Sequence, residues 1–199
     1  MTELKLFGKW DTKHITVTDP GLQPYINTSP IIVPESSGRN ARARFYKPRS
    51  NIVERLINKV MIPGHKGKKH YRTSGTSSGK GLTAQKIVIN ALEYIEKKTQ
   101  KNPVEVLVVA IEKAAPREEI TAIEYGGARY PQAVDCAPQR RIDIVLRQMV
   151  QGAYTKSFGK KVSMSRALAD EILKASNEDQ ASQAISKKLE LERQADSSR

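Results

Sequence analysis

Cysteine is nearly absent from this chain: Cys136 stands alone among 199 residues, so no intramolecular disulfide framework can form. Histidine is almost as sparse. His14, His65 and His70 are scattered along the chain and cannot join one cysteine in a closed tetrahedral zinc site. Long apolar runs are missing too. Nothing approaches the roughly 20 residues needed to cross a bilayer, and the opening MTELKLFGKW lacks the apolar centre of a secretory leader. The expectation is a soluble, cytoplasmic protein with no membrane partner. Aromatic residues make up only 6% and apolar residues 38%, enough for a small core, and the length suits one ordinary domain with extensions.

Carboxylates are the other shortage. None interrupts Ser36 to Val53, and none occurs from Arg55 to Leu92. Across the chain 34 Lys and Arg face 21 Asp and Glu, a formal net charge of +13. Residues 1–162 hold 28 of the bases and 14 of the acids, while residues 163–199 hold 6 and 7. A basic body therefore carries a near-neutral tail, and such an excess favours a polyanion, nucleic acid or an anionic membrane surface.

Prolines at 20, 24, 30, 34 and 48 leave the first fifty residues without a helical period, which predicts an extended basic N-terminal arm. Helical spacing begins at Asn51, where Asn51 and Glu54 have the separation of a capping box and Val53, Leu56, Ile57, Val60 and Met61 form one stripe. Pro63-Gly64 stops it. The loop HKGKKHYRTSGTSSGKG follows, and a second helix is predicted from about Thr83 to Lys101. Asn102, Pro103 and Glu105 then open a third, apolar nearly all round and so expected at the centre.

Residues 117–135 change period. Two short segments flank Gly126-Gly127, the pattern of a β-hairpin, with Pro131 confined to a strand that has a free edge. Ala137-Pro138 opens a fourth helix with Ile142, Val145, Leu146, Met149 and Val150 inward and Arg140, Asp143 and Arg147 outward. Ser163 caps a fifth. A last helix, from Asn177 to about Ala195, has too thin an apolar stripe (Ala181, Ala184, Ile185, Leu189) for a core helix and reads as a docking helix. The expected fold is mainly α: a bundle of about six helices with an inserted β-hairpin. It divides into an arm over 1–50, a body over 51–176 with the hairpin at 117–135, and a docking helix and tail over 177–199.

Catalytic chemistry finds little support. GTSSGKG, from Gly75 to Gly81, has three residues between its first two glycines, a glycine after Lys80 and no strand before it, whereas a phosphate-binding P-loop needs four, then Ser or Thr, then a preceding strand. Cys136 has no histidine placed beside it by the sequence and reads as a small buried residue. Asp135 and Asp143 are explained by the helix start or by pairing with Arg147. The chain is expected not to be an enzyme and to need no cofactor, metal or small-molecule substrate.

The bases sit mainly in irregular segments. Arg39, Arg42, Arg44, Lys47 and Arg49 surround Phe45 and Tyr46. Lys66, Lys68, Lys69, Arg72 and Lys80 occupy the next loop. Arg117 and Arg129 lie on the hairpin, Arg140, Arg141 and Arg147 beyond it, and Lys156, Lys160 and Lys161 in a last basic loop. Loops with interleaved aromatics suit structured RNA, whereas one basic recognition helix would suit a duplex major groove. A helical DNA-binding regulator is the alternative, and an RNA-modifying enzyme a more distant one.

The stretches NIVERLINKVMIPG, NPVEVLVVAIEKAAPREE, YGGARYPQAVDCAPQRRIDIVLRQMVQGA, ALADEILKAS and AISKKLELERQA, spanning Asn51 to Ala195, resemble the small-subunit ribosomal protein seven family in its archaeal and eukaryotic form. The resemblance implies a helical body with a long hairpin between two helices. It implies binding to the 3′ major domain of small-subunit rRNA, early head assembly and a place near exit-site tRNA and mRNA. Arg140, Arg141 and Arg147 would then meet rRNA phosphates. Tyr125, Gly126, Gly127, Ala128, Arg129 and Tyr130 would form a tip facing tRNA and mRNA. The C-terminal helix would lie near the tRNA and a neighbouring head protein. The loop at 63–81 is longer than in bacterial relatives, and the assignments before Asn51 rest on charge alone.

Overall fold

The computed structural model describes residues 4–43, 45–63, 65–66, 69–70 and 79–199, without the side chains of residues 41, 65, 66, 69 and 70. Arg44, Lys68 and Arg72 lie outside the described residues, and Lys66 and Lys69 are placed by their backbone alone. The helices are α1 (Ile52–Val60), α2 (Gly81–Thr99), α3 (Pro103–Ala114), α4 (Pro138–Ser157), α5 (Met164–Ser176) and α6 (Gln183–Asp196). Strands β1 (His65–Lys66) and β2 (Lys69–His70) make a short antiparallel pair within the stretch read as a loop, and β3 (Glu118–Tyr125) with β4 (Ala128–Asp135) forms the hairpin. The mainly α reading with one inserted hairpin is what the structure shows.

Helix starts follow local chemistry. Asn51 Oδ1 accepts the Val53 amide at 2.9 Å and Asn102 Oδ1 that of Val104 at 3.0 Å, while Ser163 Oγ accepts from Arg166. These side chains satisfy amides that have no partner inside the helix. The reciprocal half of the first capping box is not made, because Glu54 turns away to accept from the backbone and hydroxyl of Ser36. The last helix also differs from expectation: it starts at Gln183, not Asn177, because the carboxylate of Glu171 on α5 accepts from both Ser182 Oγ, at 2.8 Å, and the Gln183 amide. A cap delivered from another helix leaves no trace in local spacing.

Burial of the apolar stripes organises the bundle. Val53, Leu56 and Val60 of α1, Val88, Leu92 and Ile95 of α2, and Ile142, Leu146 and Met149 of α4 are all buried in one core. α3 is buried on most sides, as its composition predicts, but α5 is the helix that packs against α2, α3 and α4 together. Its Ala167, Ala169 and Ala175, all buried, allow the close approach. Each fully buried Leu or Ile contributes roughly 1.5–3 kcal/mol of transfer free energy.

The segment before Asn51 has little regular structure, yet it lies against the body. Leu6, Trp10, Leu22 and Ile26 are buried in the same core. Trp10 Nε1 donates to Glu96 at 3.0 Å, Glu112 accepts the Thr18 and Asp19 amides, and Asn27 forms a parallel bridge with Asn51. Among the described residues no helix is long and apolar enough to cross a membrane.

Candidate nucleic-acid interface

The hairpin turn is built by Gly126 and Gly127, whose φ values of 58° and 84° are what a tight two-residue turn between twisted strands requires. Register follows from it. Tyr125 pairs with Ala128, Glu124 with Arg129 and Ile123 with Tyr130. Since neighbouring side chains alternate between faces, Ile123, Tyr125 and Tyr130 share one face, and Glu124 and Arg129 the other. Arg129 Nε lies 3.7 Å from Glu124 Oε2. Every residue from Thr121 to Gln132 is exposed, so the tip stands clear of the body.

The hairpin base is clamped. Arg140 forks onto Glu119, Arg199 pairs with Glu118, the Arg117 amide donates to Glu192 of α6 at 3.1 Å, and the Cys136 amide donates to the Arg117 carbonyl at 2.8 Å. The Cys136 thiol is buried, and burial with the Glu119 charge pushes its pKa up to about 11. A thiol so seldom ionised at neutral pH is a poor nucleophile.

The structure separates the three arginines expected to act together. Arg140 is held by Glu119. Arg141 is a buried strut: its Nε donates to the Pro116 carbonyl at 3.0 Å and a terminal nitrogen to Asp19 at 2.9 Å, tying the N-terminal segment to the hairpin base. Only Arg147 is exposed without a carboxylate at ion-pair distance among the described residues. Asp143 does not pair with it. That carboxylate instead receives Arg55, at 3.2 Å, and Lys47. Burial alone would raise the Asp143 pKa, but the Lys47 hydrogen bond and the Lys47, Arg55 and Lys59 charges outweigh it and hold the carboxyl below its usual range.

Two basic stretches and the outer face of α4 meet in one groove of about 1290 Å³. Residues 34–50 form one side and Gly79, Gly81 and Leu82 another, with Gln139, Asp143 and Arg147 of α4 and Lys59 of α1 also lining it. Arg49 lies 4.0 Å over the Tyr46 ring. Elsewhere, Lys160 and Lys161 are exposed at the α4–α5 turn, and Lys156 is committed inward to Glu171. Arg39, Arg42, Arg49, Lys80, Arg117, Lys160 and Lys161 are exposed, and none has a carboxylate at ion-pair distance among the described residues. Lys59 was invisible to sequence reasoning because it sits on a helix, away from the basic loops.

Comparison with known proteins points the same way. The family model described as ribosomal protein S7p/S5e matches residues 23–199. Relatives named small ribosomal subunit protein uS7 include one from Nanoarchaeum equitans, 53% identical over 99% of this chain and 100% of the relative. Another, from Archaeoglobus fulgidus, is 46% identical over 99% of this chain and 96% of the relative.

Proposed function

The chain belongs to the ribosomal protein S7p/S5e family, and from that premise we propose that it is a non-enzymatic structural component of the small ribosomal subunit in the cytoplasm. It binds the 3′ major domain of the small-subunit rRNA and nucleates head assembly. The observation that carries this reading is the set of exposed cations on irregular segments, Arg39, Arg42, Arg49, Lys80, Arg117, Lys160 and Lys161, left without carboxylate partners among the described residues. Loop cations of this kind neutralise phosphates along an irregular path, and each neutralised phosphate releases condensed counterions.

Within this assignment the groove side and the α4–α5 turn contact rRNA, with Arg147 the member of the arginine set that reaches a phosphate. The exposed tip from Tyr125 to Tyr130 approaches exit-site tRNA and mRNA. Arg129 there is partly offset by Glu124, so tip contacts depend on the Ile123, Tyr125 and Tyr130 face as much as on charge. The outer face of α6 meets a neighbouring head protein. Binding is charge neutralisation for orientation and shape fit for the choice of site.

Filter binding of the full chain to a 3′-domain rRNA fragment, an unrelated structured RNA and a duplex DNA, over a salt series, tests the reading. Preference for the fragment at physiological salt is expected. Equal affinity for all three would overturn it, and preference for the duplex would favour a DNA-binding regulator.

A further inference from the structure

Asp143 lines the groove together with Lys47, Arg55, Lys59 and Arg147. Lys47 and Arg55 bond to it, so the one carboxylate is already shared. Lys59 and Arg147 make no hydrogen bond or ion pair among the described residues. No acid elsewhere from Arg55 to Leu92 is available to them, because that stretch has none. Glu54, also in the groove, is occupied by Ser36, and Glu35, which lines the groove as well, is exposed and makes no ion pair with Lys59 or Arg147 among the described residues. The Lys59 amine is half-buried, and burial first, then repulsion from Lys47, Arg147 and Arg55, hold its pKa below the ordinary lysine value despite the attraction of Asp143. A half-buried lysine beside an exposed arginine, neither in an ion pair among the described residues, is a site that an anion relieves.

The rim has different chemistry. Phe45 is 69% exposed and Leu82 75% exposed, both lining the groove. Phe45 holds φ at 67°, a left-handed conformation that bulky side chains seldom adopt and that clusters at ligand clamps and switch regions. Cations and exposed apolar surface lining one groove match the two halves of a nucleotide.

Resting on the RNA-binding reading above, we propose that this groove seats a single extruded nucleotide of the bound RNA, its phosphate between Lys59 and Arg147 and its base against Phe45 and Leu82. Asp143 and Arg55 do not touch it. Asp143 holds Lys47 at the groove wall, and Arg55 anchors Asp143 to the Tyr25 carbonyl, which its other terminal nitrogen reaches at 3.1 Å. The seat explains why α1, otherwise a core helix, turns Lys59 towards α4.

The test compares wild type with Lys59→Gln, Arg147→Gln, their double variant, Phe45→Ala, and Lys97→Gln on the exposed side of α2, which loses the same charge as either single variant. Circular dichroism first establishes that each is folded. With the rRNA fragment, the double variant is expected to lower the salt slope by roughly 0.7, the loss of one phosphate contact. Phe45→Ala is expected to weaken binding roughly tenfold with the slope unchanged. Lys97→Gln should match wild type. In parallel, amine acylation of Lys59 followed by mass spectrometry is run with the rRNA fragment and with pyrophosphate at equal total phosphate. Protection by the fragment alone supports the seat. Equal protection by pyrophosphate assigns the site to a free anion and overturns it, as does acylation unaffected by either. If wild type shows no preference for the fragment, the RNA reading itself fails. If wild type prefers the fragment and the double variant binds identically, only the seat is lost.

Discussion

The Arg140 guanidinium forks onto the Glu119 carboxylate, Nε to Oε1 at 2.6 Å and a terminal nitrogen to Oε2 at 2.7 Å. One residue opens α4 and the other lies near the start of β3, so this bidentate pair fixes the direction in which the hairpin leaves the body. Planar forks carry geometric specificity that a lysine cannot reproduce. Arg140→Lys is therefore expected to leave global stability within about 1 kcal/mol, since the pair is partly exposed. Amide exchange across residues 118–135 should nevertheless quicken while the helices keep their protection. Unchanged exchange in the hairpin would show that α6 alone holds it.

Glu171 is fully buried and accepts from Lys156, Ser182 Oγ and the Gln183 amide. Glu171→Ala removes the acceptor and strands the donors, a loss of about 3–5 kcal/mol. Urea unfolding should report that loss, and proteolysis of the native protein should then begin near residues 177–183, where α6 is no longer capped.

Gly152 lies where α4, α5 and the start of α6 converge. A Cβ added there would stand 3.0 Å from both Gln183 Cβ and Glu171 Cδ. Gly152→Ala should destabilise by about 1–3 kcal/mol through overpacking, although alanine is the better helix former. Thermal unfolding that rises with the substitution would mean the helices separate at little cost.

Acid should loosen the N-terminal attachments first. For Asp19, burial raises the pKa, but the Arg141 hydrogen bond, the Gly21 amide and the Arg141 and Arg117 charges outweigh it and leave the carboxyl below its usual value; Asp143 is lowered as well. A carboxyl with a depressed folded pKa contributes stability that is complete above the unfolded value, about 3.9, and is lost as pH falls through the folded one. Stability should thus decline below about pH 5, and the Asp19→Asn, Asp143→Asn double variant should show a lower plateau at pH 7 with a shallower acid limb. Urea midpoints measured from pH 7 to pH 3 check both.

Cys136, with its pKa near 11 and its side chain buried, should resist iodoacetamide at pH 8 in the folded protein and react readily in urea. Rapid labelling of the native state would mean that the hairpin base opens.

Much of the fold was legible because its signals are local. Asn51, Asn102 and Ser163 cap the helices they precede, the Gly126-Gly127 pair places the turn, and the apolar stripes of α1, α2 and α4 face the core at the expected spacing. The misreadings share one cause. Local spacing pairs Glu54 with the cap of its own helix and assigns Asp143 to the helix start or to Arg147 on its own face, yet Ser36 takes the first and Arg55 and Lys47 the second. Local spacing starts the last helix at Asn177, whereas its cap comes from Glu171 on another helix and sets the start at Gln183.

By itself the sequence determined the composition of the interaction: a +13 chain whose acids are excluded from two basic stretches, helices stopped by Pro-Gly and Asn-Pro, and a glycine-tipped ribbon. Charge and backbone preference travel with each residue wherever the chain goes. Tertiary structure alone decided which of those charges remain available. Arg141 meets Asp19 across 122 positions and becomes a strut, Lys156 turns inward to Glu171, and Lys59, unremarkable on its helix, is left without an ion pair among the described residues. Whether a cation is spent or free depends on what folds against it, and pairings over such separations have no local period from which to be read.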